Sequence, residues 1–294
     1  MKPSFGTISL PRVVNGIGRT LVGAGLLILL FVVYQLWGTN IQEARSQRKL
    51  RAEFERVLTV VTPTTEPGEP PPAIPEGEAV ATIRIPKIGL DKAVIEGVGV
   101  PDLKKGPGHY PSTPLPGQPG NAAIAGHRTT YGAPFDRLDE LQPGDLIEVT
   151  TRQGNFKYKV DGSREVTPDQ IEVLNQTENA TLTLTTCTPR FSAKRRLIVS
   201  ASLISEPAPV PIITVETRKK MVEVEVQVEG LSGDRSAAGP TVLWALLTTL
   251  VGVLAWLLAR RFGRLRVYLP ATPIFLIFLY VFFENVARLL PANI

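Results

Sequence analysis

A single cysteine, two histidines and a pair of adjacent arginines are the residues of this 294-residue chain whose types and positions suit covalent chemistry. Cys187 ends the alternating run TLTLTTC. A lone thiol has no disulfide partner within its own chain, so it is either a small buried hydrophobe or a reactive group. Reactivity needs a populated thiolate, and a thiolate needs a nearby base or cation. His127 offers a base at the end of the apolar run NAAIAGH, and Arg195 and Arg196 open the run RRLIVSA just past the loop after the cysteine. A thiol, an imidazole and a guanidinium at three strand ends can converge at one mouth of a barrel. There a base or a cation could populate the thiolate that a nucleophile needs. Successive strand residues face opposite sides, so only one of the two arginines can join such a site. The other histidine, His109 in GPGHYP, lies in a Gly/Pro loop and reads as a structural turn or rim contact.

The elements that must position these groups are short. ATIRIPKIGL, AVIEGVGV, NAAIAG, DLIEVTT, NFKYKV, IEVL, ATLTLTT and RLIVSASL are β-type runs separated by Gly, Pro, Asn and Asp. Many short strands with few helix-length patterns predict an all-β unit over residues 79–206, a small antiparallel barrel or sandwich. FDRLDEL is the best helical turn within it. Residues 39–78 read as a charged, solvated helical stalk followed by the Pro-rich spacer TPTTEPGEPPPAIPEGE. Residues 207–235 hold a second β-type segment, most clearly alternating at Val222, Val224, Val226 and Val228, and a polar loop.

Three apolar segments read as transmembrane helices: 20–38 and 236–259, both uncharged, and 267–290, whose uncharged run 267–283 is short and contains Pro270 and Pro273 before it continues past Glu284 toward Leu290. The first has no Ala-x-Ala-like cleavage site and reads as an uncleaved anchor. Basic residues without acids precede it in 1–19 and fill the short loop 260–266. The positive-inside rule therefore puts both in the cytoplasm and residues from about 39 to 239 outside, against the Arg/Lys cluster that follows the first span. Within 79–206 basic and acidic residues nearly balance, so the formal net charge of +5 flanks the membrane segments and does not mark a nucleic-acid surface.

The segments IAGHRTTYGAPF and TLTLTTCTPRFSAKRRLIV resemble the His and Cys signatures of sortases, the cell-wall transpeptidases of Gram-positive bacteria. The cysteine stands in TLxTC as Thr183-Leu184-Thr185-Thr186-Cys187, and the histidine in AGH as Ala125-Gly126-His127. GHRTTYG with TLTTC-x-P and FSAxxRLIV looks most like class E, typical of high-GC actinobacteria. The resemblance spans about residues 81–203 and implies a sortase-type eight-stranded β-barrel ectodomain, here with an N-terminal transmembrane anchor and a C-terminal transmembrane pair.

It also implies cleavage of an LPxTG- or LAxTG-like sorting signal between Thr and Gly. A thioacyl-enzyme on Cys187 would form, with His127 as imidazolium and Arg196 as the essential guanidinium. Expected substrate contacts are Thr186, Tyr131, Arg195 and Thr188, the last through its backbone N–H. The implied partners are surface proteins bearing the signal, the lipid II or peptidoglycan stem amine, and the membrane. No metal or organic cofactor is required. A pilin-polymerising sortase, a cysteine protease releasing free acid and a catalytically silent membrane scaffold stay open as alternatives. The two extra C-terminal helices depart from the single anchor usual in class E.

Overall fold

The computed structural model describes residues 10–60, 74–208 and 234–290. Residues 62–73 of the Pro-rich spacer and the alternating stretch around Val222–Val228 lie outside these. Eight strands follow one another as β1 (Ala79–Ile85), β2 (Leu90–Glu96), β3 (Gly108–His109), β4 (Asn121–Ala125), β5 (Leu146–Thr151), β6 (Gly154–Val166), β7 (Thr181–Thr188) and β8 (Arg195–Leu203). They close into a barrel in the order β1-β2-β3-β4-β7-β8-β6-β5. Period-two alternation sends Ile83, Ile124, Ile147, Tyr158, Leu182, Leu184 and Val199 into one core, which Phe135 and Leu138 complete.

The all-β reading holds, but the barrel is not wholly antiparallel. β2 pairs parallel with β3, and β4 pairs parallel with β7. The β5–β6 hairpin intervenes in sequence between β4 and β7, so the chain re-enters beside β4 in the same direction. The run IEVL is a 3₁₀ turn, Ile171–Leu174, and not a strand. Its apolar residues cover the outside of the sheet instead of lying in it. FDRLDEL is helical only as the 3₁₀ turn Leu138–Glu140.

Helix α1 (Leu10–Val33) passes through a π-helical turn (Tyr34–Gly38) into α2 (Thr39–Val60). Gly38 permits this: a Cβ there would come within 2.8 Å of the Tyr34 ring. The α2 segment is not the solvated spacer its charges suggest. Leu50 and Phe54, four residues apart on one face, pack with Ala79, Ala93 and Ile95 of the barrel. One turn earlier, Gln47 acts as a short strand. Its Oε1 accepts from Ala93 N–H at 2.8 Å, and its Nε2 donates to the carbonyls of Ala93 (3.0 Å) and Lys105 (2.9 Å). Glu43 pairs with Lys92 at 2.7 Å. The buried stripe mixes polar and apolar side chains, so no hydrophobic period announces it.

After the four-residue helix α3 (Val100–Leu103), the remaining helices among the described residues are α4 (Ala238–Phe262) and α5 (Arg264–Leu289), which form a hairpin. Helix α1 with its continuation, α4 and α5 are each long and apolar enough to cross a membrane. α5 continues through Pro270 and Pro273 and carries Glu284 near its end. Its Leu279 and Phe283 pack on Tyr34, which ties the C-terminal pair to the first helix.

Candidate active site

Three neighbouring strands bring the expected residues to one end of the barrel. β4 and β7 run parallel with Ala125 opposite Thr185, and the Gly126 N–H donates to the Thr185 carbonyl at 3.0 Å. His127 therefore leaves β4 at the level of Cys187. β8 starts at that same end, and its register sets Arg196 directly opposite Cys187. Alternation gives the facing. Leu182 and Leu184 point into the core, so Cys187, three residues past Leu184, points outward, and Arg196 shares its side. The constellation lies on the outer wall of the barrel, near its end, and not within the mouth.

A groove there is lined by Tyr110, Thr185, Arg196 and Ile198 from the wall and by Ile171, Val173 and Leu174 from the β6–β7 connection. Cys187 itself has no exposed surface. It belongs to an apolar cluster with Val98, Leu103, Tyr110, Ala123, Ala125 and Leu174. The sequence places the thiol at a cleft; in the structure the sulfur is sealed from solvent within a small apolar cluster on the outer wall.

The histidine loop is fixed from three sides. Gly126 is required because a Cβ would come within 2.6 Å of the Phe135 ring. The Thr186 hydroxyl, fully buried, donates to the Gly126 carbonyl at 2.7 Å, and Phe135 N–H donates to the His127 carbonyl at 3.0 Å. Beyond them Tyr131, Gly132 and Ala133 all have positive φ (49°, 75° and 41°). Two of these residues are held by the start of α2, where Tyr131 N–H donates to Thr39 Oγ1 (3.2 Å) and Gly132 N–H to Asn40 Oδ1 (2.8 Å). The Tyr131 ring lies 5.1 Å from the His127 ring, and its buried hydroxyl has no hydrogen-bond partner. Burial pushes that phenol above its usual range, with Glu284 adding to the effect.

His127 is 3 % exposed and its Nδ1 has no hydrogen-bond partner. Burial first, and the Lys104 ammonium second, push its imidazole down from 6.5 to about 3. Burial and the nearby cation both disfavour the expected imidazolium in this arrangement, and among the described residues no carboxylate pairs with the ring.

The two arginines separate as alternation requires. Arg196 is 4 % exposed and its Nη1 donates to the Ala193 carbonyl at 3.1 Å. Arg195 is exposed and pairs with Glu165 at 3.1 Å, while Thr188 Oγ1 donates to the same carboxylate at 3.2 Å. The side chains of Arg195 and Thr188 are thus grouped with Glu165 and not with Cys187. Thr186 is turned toward the histidine loop and not toward the groove. His109 is buried, with Nδ1 2.9 Å from Glu96 and Nε2 2.9 Å from the Pro114 carbonyl, so both ring nitrogens are occupied.

Sequence reasoning missed Arg128. It is 4 % exposed, its Nη1 donates to the Cys187 carbonyl at 3.3 Å, and its Nη2 meets Asp139 at 2.8 Å. The signal was its place beside His127 in AGHR, where a charge beside a buried loop needs partners. Lys104 and Glu284 were also missed. Their Nζ and Oε1 are 2.9 Å apart, and the ammonium lies 5.4 Å from the Tyr131 ring centre.

Residues 83–204 match a family model described as the Sortase domain. The chain is 34 % identical over 209 residues to Sortase SrtE1 of Streptomyces coelicolor, covering 65 % of this chain and 57 % of that one. It is 30 % identical over 174 residues to Sortase D of Bacillus subtilis, covering 58 % of this chain and 86 % of that one. Among solved structures, sortase E from Streptomyces avermitilis is 40 % identical with a TM-score of 0.42, covering 46 % of this chain and 93 % of that one. On the match to most of the Bacillus relative and the domain model together, the chain belongs to the sortase family of cysteine transpeptidases and is class E-like.

Proposed function

We propose that this protein is a membrane-anchored transpeptidase. It cuts an LPxTG- or LAxTG-like sorting signal between Thr and Gly and joins the Thr carbonyl to an amine of a cell-wall precursor. The observation that carries this reading is the register of Cys187 opposite Arg196, with His127 leaving the adjoining strand at the same level. In the resting site burial disfavours the charged form of the imidazole. The thiol proton passes to His127 as the sulfur attacks the Thr carbonyl carbon, so charge separates only when substrate is present. Arg196 donates to the oxyanion that develops, with the Thr188 N–H as a second donor. The C–N bond then breaks, and His127 returns its proton to the departing glycine amine. A thioester on Cys187 remains. An incoming amine attacks it, His127 accepts the amine's proton, and the thiol is regenerated.

The sorting peptide is assigned to the groove between the outer wall of β7–β8 and the Ile171–Leu174 turn, which must widen to admit it. Cys187 has no exposed surface, so reaching the sulfur requires local opening of the wall around it. The positive-inside pattern supports a catalytic domain outside the cell, with α1, α4 and α5 in the membrane. By family resemblance the donors are surface proteins with a C-terminal signal and the acceptor is the lipid II or peptidoglycan stem amine.

Product analysis with the full chain in detergent tests the reading. Sorting peptides are supplied with and without a small primary amine. Amide product that scales with added amine is the expected outcome. Free acid alone at every amine concentration indicates a hydrolase, and unchanged peptide indicates a silent scaffold.

A further inference from the structure

The C-terminal helical pair reaches the histidine loop through one carboxylate. Glu284 is the first charge after the uncharged run 267–283 of α5. An ionisable residue at the end of such a run needs partners, and it has two: Tyr34 Oη donates to its Oε2 at 2.9 Å and Lys104 Nζ to its Oε1 at 2.9 Å. Both side chains of the ion pair are largely buried, at 13 % and 20 % exposure. The Lys104 ammonium in turn lies 5.4 Å from the Tyr131 ring centre, and that ring stacks at a tilt 5.1 Å from His127.

We propose that Glu284, carried on the third membrane-length helix, is a positioning residue for His127: it holds and neutralises Lys104 beside the imidazole, which makes the C-terminal pair part of the site and not an added tether. This rests on the reading of Cys187 and His127 as a proton-exchanging pair.

The charges around the ring support the assignment. From its own loop come Arg128, whose guanidinium is taken by Asp139 and the Cys187 carbonyl, and the neutral phenol of Tyr131. β7 and β8 contribute Cys187 and Arg196. α2 contributes Glu43, which is paired with Lys92, and the helix ends contribute Tyr34 and Tyr280. Among the described cations Lys104 is the one whose charge disfavours the protonated ring, adding to the effect of burial. Freed from Glu284, that charge would oppose proton transfer from the thiol to His127 more strongly.

The chain has one cysteine, so the rate of Cys187 alkylation by iodoacetamide at neutral pH reads the thiol–imidazole pair without any peptide turnover. The full chain in lipid nanodiscs is compared with Glu284→Gln, Lys104→Met, the double variant, and each again on His127→Ala. Glu284→Gln should slow alkylation by about threefold or more. The double variant should return to the wild-type rate, Lys104→Met alone should be no slower than wild type, and on His127→Ala the Glu284 change should have no effect.

Three outcomes overturn the proposal: an unchanged rate in Glu284→Gln, a double variant as slow as Glu284→Gln, or slowing that persists without His127. Slower alkylation in Lys104→Met overturns it as well, and this variant keeps the test intact if Glu284→Gln fails to fold. The imidazole NMR signal of His109, held by Glu96 inside the barrel, checks folding of each variant. An unchanged rate in His127→Ala alone would refute the pair itself. A normal set of alkylation rates with no peptide turnover would refute only the transpeptidase reading.

Discussion

Cys187 and Arg196 face each other as directly paired residues of the β7–β8 ladder, on the outer side of the barrel wall. Paired antiparallel residues have Cβ atoms about 5 Å apart. The guanidinium is therefore delivered to the thiol by sheet register alone, and a one-residue slip would bring Arg195 instead.

That register predicts opposite behaviour from the two arginines. Arg196→Ala should lower turnover of a fluorogenic sorting peptide by about 10²–10³-fold, the usual cost of losing an oxyanion donor. Arg195→Ala, which breaks only an exposed pair with Glu165, should stay within a few-fold of wild type. The reverse ranking would show that the strand is read in the wrong register.

Thr186 and Arg128 hold the site's backbone, so their loss should appear in stability as well as in rate. Thr186→Val removes the hydrogen bond to the Gly126 carbonyl and leaves a buried acceptor unpaired. Urea unfolding should report a loss of about 1–3 kcal/mol. Arg128→Leu strips a donor from the Cys187 carbonyl and a partner from Asp139, with a cost in the same range. Unchanged unfolding midpoints in both variants would contradict these roles.

Keeping His127 neutral makes stability depend on pH. The folded ring protonates only near pH 3, while the unfolded ring does so near 6.5. Between those values the unfolded chain binds more protons, so stability falls as pH drops through that window and the group contributes nothing above it. One such group gives a slope of at most about 1.4 kcal/mol per pH unit. The urea midpoint for exposure of the Cys187 thiol, followed with a dithiodipyridine reagent from pH 4 to 7, should fall less steeply in His127→Gln than in wild type. Equal slopes would mean that the ring is hydrated and titrates normally.

The docked face of α2 predicts a structural role for a segment whose charges suggest a tether. Phe54→Ala should cost about 3–5 kcal/mol, because the ring is 1 % exposed and packs on β1 and β2. Hydrogen exchange at Ala93 should accelerate in Gln47→Leu, where that amide loses its side-chain acceptor. Wild-type protection at Ala93 in this variant would mean that the contact is incidental.

What the sequence makes legible follows from local period. Alternation in TLTLTTC and RRLIVSA marks β7 and β8 and separates Arg195 from Arg196. Uncharged length marks the three membrane-length helices. The closed order of the barrel and its two parallel pairings depend on contacts between distant strands, which no local pattern carries. IEVL misleads for a related reason: four apolar residues are too few to distinguish a strand from a covering turn. The α2 interface hides because Glu43, Gln47, Leu50 and Phe54 form a stripe of mixed polarity. The Glu284–Lys104 pair joins residues 180 positions apart, and neither is unusual until the helix and the barrel are brought together.

Everything central turns on whether the Cys187 sulfur takes an acyl group from a sorting signal. Mass spectrometry of the full chain, quenched in acid after mixing with LAxTG and LPxTG peptides, measures this directly. The expected result is an added mass equal to the peptide fragment ending in Thr, located on the peptide that contains Cys187 and absent from Cys187→Ala. A folded protein that never carries this adduct, or one that carries it on another residue, would contradict it.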